Sequence, residues 1–150
     1  MKVAVGADHA GFELKERVRR YLEQRGHTVL DMGTDSSEST DYPQYAFRVA
    51  EAVRDGTADR GVLVCDSGNG IAIAANKVAG VRAALVINPS HAEMSRRHND
   101  ANVLVLGSTI LPAAQEIPTL EAWFGAPFEG GRHARRVGQI SEYEQTHERR

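Results

Sequence analysis

Short apolar runs alternate with amphipathic stretches along the whole chain. Lys2 to Gly6 is a brief Val/Ala run, and Phe12, Leu14, Val18, Tyr21 and Leu22 then recur at helical spacing up to Gly26. His27 to Met32 reads as a second strand and Gly33 to Asp41 as a polar loop. Pro43 opens a helix bearing Tyr45, Ala46, Val49, Ala52 and Val53, which Gly56 stops. Gly61 to Val64 is apolar without alternation, as expected of a parallel strand buried on both faces, and Ile71 to Lys77 follows as a helix. Val81 to Ile87 and Asn102 to Leu106 are the fourth and fifth strands, with helices from about Ser90 to Arg97 and Pro112 to Phe124. This alternation predicts an α/β fold, a doubly wound, Rossmann-like three-layer sandwich around a five-stranded parallel sheet.

The segment from Glu129 to Arg150 has no strand to pack beside. It starts at Gly130-Gly131, after Ala126-Pro127 has ended the preceding helix, and its apolar stripe is thin: Val137, Ile140 and Tyr143. Such a stripe predicts a C-terminal helical extension, residues 129–150, that packs on a partner subunit rather than closing a core. At 150 residues the chain suits one domain, 1–150, burying roughly 70% of its unfolded surface. Its 18 basic and 20 acidic residues are interspersed, giving a net charge of −2. That balance gives no footprint for nucleic acid. One cysteine excludes an internal disulfide, and no run approaches the ~20 apolar residues of a membrane helix. Met1-Lys2 leads straight into a strand without a signal segment, so the expected location is cytoplasmic and the expected partners are small molecules or further copies of the chain.

Chemistry concentrates where the third strand ends. Cys65-Asp66-Ser67-Gly68-Asn69-Gly70 joins a strand to a helix start, at the sheet edge where open α/β sheets bind ligands. The amides of a first helical turn there face an anion, and a thiol beside them should lose its proton more easily than a free one. Asp66 opposes this, because a neighbouring carboxylate raises a thiol pKa. Asp8-His9-Ala10-Gly11 follows the first strand onto the same edge; Asp8 suits either a helix cap or a sugar hydroxyl, and His9 an anion. His98-Asn99 precedes the fifth strand, which puts it at the opposite edge, so sharing a site with Cys65 requires a second subunit. Arg132 and Arg136 are four apart on one helix face, and two guanidinium forks so placed suit a phosphate. No His/Cys/Asp/Glu set has metal-ligand spacing, His91 and His98 standing apart, and no cofactor is expected. The glycines do not give G-x-G-x-x-G, and Ser67 lacks the G-x-S-x-G elbow.

Gly6-Ala7-Asp8-His9-Ala10-Gly11-Phe12, Asp41-Tyr42-Pro43, Cys65 to Gly70, Ala74-Ala75-Asn76-Lys77, His98-Asn99 and Gly130-Gly131-Arg132-His133 together resemble the type B ribose-5-phosphate isomerases, in order over nearly the whole chain. These belong with galactose-6-phosphate and allose-6-phosphate isomerases. The resemblance implies metal-independent interconversion of aldose and ketose phosphates through a cis-enediolate, in a homodimer or tetramer with sites shared between subunits. It makes Cys65 the base and His98 the ring-opening acid. Asp66, Ser67, Gly68, Asn69 and Gly70 match the loop that stabilises the oxyanion. Asn99, Asp8 and Tyr42 match sugar contacts, and His9, Arg132 and Arg136 phosphate contacts. Relatives without the cysteine carry a glutamate where this chain has Ile71, which leaves Cys65 as the base. Asp66 replaces a small residue, and Thr109 stands where many relatives have an arginine. These departures keep open an isomerase of a hexose 6-phosphate, a tetrose phosphate or a free pentose. A non-catalytic sugar-phosphate-binding module is the rival from another class.

Overall fold

The computed structural model describes residues 1–147, and residues 148–150 of the predicted extension lie outside the described residues. Five strands form a wholly parallel sheet: β1 (Lys2–Ala7), β2 (Thr28–Asp31), β3 (Arg60–Cys65), β4 (Ala83–Leu85) and β5 (Val103–Gly107). Their order is β2-β1-β3-β5-β4. The chain leaves β1 toward one side for β2 and returns on the other for β3. The β1/β3 boundary is therefore the topological switch point, where the diverging connections open a crevice beyond the carboxyl ends.

The helices are α1 (Phe12–Gln24), α2 (Tyr42–Arg54), α3 (Asn69–Ala75), α4 (Pro89–Arg97), α5 (Glu116–Gly125) and α6 (Arg132–His147). Because strand side chains alternate between faces, two cores form. On one face Val3, Val5, Val62, Val64, Leu104 and Leu106 pack with Leu14, Val18 and Leu22 of α1, Ala92 of α4, and Leu120 and Trp123 of α5. On the other, Ala4, Leu63, Cys65, Val103 and Val105 meet Ala46, Val49 and Ala50 of α2 and Ile71, Ala74 and Ala75 of α3. The α/β sandwich read from the sequence is the fold observed, and element ends differ by a few residues. Two differences are larger. The fourth strand shrinks to Ala83–Leu85 because it is an edge strand paired only with β5. The fifth predicted helix splits into a 3-10 turn, Ala113–Gln115, and α5.

The most deeply buried charge escapes the hydrophobic pattern. Lys15 on α1 is fully buried, its Nζ donating to Asp31 Oδ1 at 2.7 Å and to the Thr34 carbonyl at 2.7 Å. A buried ammonium is tolerated only when paired and hydrogen-bonded, and here both conditions hold. The contact fixes the start of the 33–41 loop against α1. That loop carries Thr40 to the site described next.

Candidate active site

The predicted residues assemble in two groups at opposite edges of the sheet. The first lies at the switch point. Cys65 ends β3 opposite Gly107 of β5, with its side chain buried. Gly68 takes φ +85°, which a β-carbon disfavours, and this left-handed residue turns the chain straight into α3. The turn aims the Gly68 and Ile71 amides at the Cys65 sulfur, where both lower the thiol's pKa. The Asn69 N–H is engaged by Ser67 Oγ at 3.2 Å.

Burial outweighs those amides and pushes the Cys65 thiol up, with the Asp8 and Asp66 carboxylates adding to the rise. The expectation of an easily ionised thiol is therefore corrected. The helix start acts as predicted, but the sulfur lies inside the α2/α3 core, where its charged form is poorly solvated. The opposing action read for Asp66 has the predicted direction. Replacing Asp66 with Asn removes one of the raising charges, so the thiolate forms at lower pH. The rising, acid-side limb of the kcat/KM profile is expected to move to lower pH in Asp66→Asn; an unmoved or oppositely moved limb contradicts the assignment of that limb to Cys65.

Around Cys65 stand the other members of the first group. Asp8 is buried, and its Oδ1 accepts the Gly11 N–H at 3.1 Å, so it does cap the turn that opens α1. Its charge also reaches the thiol. His9 Nδ1 lies 3.1 Å from the Thr40 amide nitrogen, from which it can accept, and 3.2 Å from the Thr40 carbonyl oxygen. In the tautomer that accepts this bond the ring proton sits on Nε2, a donor for an anion. Tyr42 lies over Gly70, where an added β-carbon would come within 2.5 Å of the phenol ring. Thr109 gives its hydroxyl and its N–H to the Asp66 carbonyl, both at 3.0 Å, and supplies no positive charge.

The second group lies at the amino-terminal edge, as the order of elements requires. His98 is the C-cap of α4 and precedes β5, whereas Cys65 pairs with the far end of that strand. The four steps from Val103 to Gly107 alone span roughly 13 Å. Exposed Asn99 follows His98, and Arg132 and Arg136 lie near the start of α6. His98 stacks on His133 with ring centroids 4.2 Å apart and planes 11° apart. Burial, with His98, Arg132 and Arg136 close by, holds His133 below the usual imidazole range, against the raising influence of Glu129. The reading of His98 as isolated is corrected: His133, Glu129 and His98 form one cluster. Glu129 and His133 are four apart at a helix start, a spacing that could have been tested against His98. Thr40 carries no comparable signal, since it acts through its backbone.

The ends of β1 and β3 are thus lined by a buried thiol under two amides, a histidine donor, an aromatic ring and a carboxylate. The family model described as Ribose/Galactose Isomerase matches residues 3–140. The chain belongs to that family. It is 50% identical over 144 residues to ribose-5-phosphate isomerase B of Escherichia coli, covering 96% of this chain and 97% of that one. A structure of Clostridium thermocellum ribose-5-phosphate isomerase B superimposes with a TM-score of 0.95 at 48% identity, covering 97% of this chain and 99% of that one. The Mycoplasma genitalium ribose-5-phosphate isomerase B, solved with bound ribulose-5-phosphate, gives a TM-score of 0.92 at 38% identity and 96% coverage of both. The family match therefore reaches into α6. Among the described residues no helix is long and apolar enough to cross a membrane.

Proposed function

We propose that this chain is a metal-independent ribose-5-phosphate isomerase, interconverting ribose 5-phosphate and ribulose 5-phosphate in the cytoplasm as one functional unit. The observation that carries the reading is the Cys65 sulfur beneath the Gly68 and Ile71 amides at the switch point, in a chain half identical to ribose-5-phosphate isomerase B over nearly its full length. In the open-chain aldose the C2 proton is acidified by the C1 carbonyl. The Cys65 thiolate takes it, and negative charge moves to O1 to give the enediolate. Protonation at C1, with transfer of the O2 proton, yields the ketose and returns the base to its starting state. Donors in the 66–70 loop offset the oxyanion charge, and His9 holds the phosphate. Proton NMR with ribose 5-phosphate in D2O is the direct test: ribulose 5-phosphate should form, with deuterium entering at the exchanging carbon. Turnover of a hexose or tetrose phosphate but not ribose 5-phosphate would overturn the substrate assignment.

The site is read as shared between two copies, each giving its Cys65 edge to the His98, Asn99, Arg132 and Arg136 edge of the other. Two features support this. The two groups lie at opposite edges of one sheet, and α6 turns Ile140 and Tyr143 outward at 52% and 64% exposure, while Glu144 accepts the Gly80 N–H of its own chain. An exposed Ile73 on α3 adds apolar surface beside the loop. A cleft of about 630 Å³ lies between α6 and the segment after α3, away from Cys65. Mixing Cys65→Ala with His98→Asn protein tests the sharing. Hybrid dimers carry one site with both changes and one with neither, so an equal random mixture should recover about a quarter of wild-type activity. Recovery of none in a mixture shown to exchange subunits overturns the shared site.

Tyr42 is assigned to the sugar. A methyl group at residue 70 meets the end of its side chain, 2.5–2.8 Å away, rather than backbone, so the ring is displaced and the fold survives. Gly70→Ala should raise KM about tenfold, ~1.4 kcal/mol of binding, with little change in Tm.

A further inference from the structure

His98, Glu129 and His133 come from three segments that the backbone ties together. His98 closes α4, the Glu129 N–H donates to the Arg97 carbonyl at 3.0 Å, and the His133 N–H donates to the Gly130 carbonyl at 3.1 Å. The stacked rings both turn Nε2 toward one carboxylate: His98 Nε2 is 3.9 Å from Glu129 Oε2, and His133 Nε2 is 3.6 Å from Glu129 Oε1. One ligand atom from each residue lies within 4.8 Å of the other two.

Two imidazole nitrogens and a carboxylate oxygen are a ligand set that zinc takes, at ~2.0–2.2 Å per bond and with donors about 3.3 Å apart around a tetrahedron. Reaching that spacing needs side-chain movements of about an ångström. The side chains of His98 and Glu129 are 38% and 41% exposed, so these are the ligands that move, His98 by turning out of its stack on His133, whereas His133, at 9%, stays in place. We propose that these three residues form a site for a divalent cation of the zinc class, and that its occupancy inhibits the isomerase by engaging the His98 lone pair. The fourth position falls to water or a sugar oxygen. Opposing charge limits the affinity: Arg97 Nη1 lies 3.7 Å from Glu129 Oε2, although Arg97 is also held by Glu93 at 2.6 Å, and Arg132 adjoins His133 in the chain. The ion is thus an inhibitor that comes and goes with its concentration rather than a resident centre.

Inhibition rests on the role given to His98 under the proposed function, but binding does not. The test therefore reads both, in the full chain: Zn2+ binding by competition with a chromogenic chelator, and ribose 5-phosphate conversion before and after EDTA. Wild type should bind one Zn2+ per chain and lose activity that EDTA restores. Cys65→Ala should bind Zn2+ as wild type does, because the thiol is not a ligand. Glu129→Gln should keep its basal activity, while binding and inhibition both weaken by at least about tenfold. His133→Gln should show the same loss of binding; should this buried change unfold the chain, the exposed Glu129→Gln decides alone. Binding lost in Cys65→Ala, or unchanged in Glu129→Gln, overturns the site. Binding with the expected pattern but no inhibition overturns the inhibitory role, and a zinc-free protein without isomerase activity refutes the functional reading while leaving the binding result intact.

Discussion

Cys65→Ala is expected to lower kcat for ribose 5-phosphate by roughly 10³–10⁴-fold, in the range of a lost general base, while the dissociation constant of the sugar phosphate changes little. The sulfur makes no charge-assisted contact that binding needs; its task is to remove a proton bound to carbon. The elevated thiol pKa is consistent with that task. A buried thiol beside Asp8 and Asp66 is ionised in a smaller fraction of molecules, but each thiolate formed is a stronger base toward a weak carbon acid. The Gly68 and Ile71 amides keep the charged form within reach despite burial. Kinetics by NMR and binding by calorimetry separate the two quantities. A variant within tenfold of wild type would transfer the base to another group, with Asp8, a buried carboxylate at the same edge, the first candidate.

How much of this was legible before the structure depends on the kind of interaction involved. The strands and most helices follow from the spacing of apolar residues, because burial between two layers imposes that spacing. The switch-point loop was legible too, since a cysteine followed by Ser67-Gly68-Asn69-Gly70 leaves few ways to connect a buried strand to a helix. The placement of His98 at the wrong edge followed from connectivity alone. What the sequence concealed depends on distance through space. The thiol's direction of titration was missed because local order shows the helix start and hides the α2/α3 core that covers the sulfur. Lys15 looks like a solvated helix position, and only Asp31 and the Thr34 carbonyl, brought in by β2 and the loop after it, make it a buried one. The Glu129, His133 and His98 cluster joins residues about thirty positions apart in the chain.

His98→Asn is expected to separate two steps that the wild-type protein performs together. Ribose 5-phosphate is stored as a furanose, and opening it needs a proton delivered to the ring oxygen as the C1 hydroxyl loses its own. Ribulose 5-phosphate has its carbonyl at C2 and its 5-oxygen phosphorylated, so it cannot close a five-membered ring. Removing the ring acid should therefore lower net interconversion by about 10²–10³-fold. The relation between forward and reverse rates and the equilibrium constant makes kcat/KM fall equally in both directions, so comparing the two directions reveals nothing. Exchange does. Deuterium entry into C1 of ribulose 5-phosphate requires only the base at Cys65 and the enediolate, and should continue close to the wild-type rate in His98→Asn. If exchange declines in step with interconversion, His98 acts on the enediolate itself, and the division of labour between the two edges of the sheet is wrong. If exchange persists while conversion collapses, Cys65 performs the carbon chemistry and His98 controls access to it.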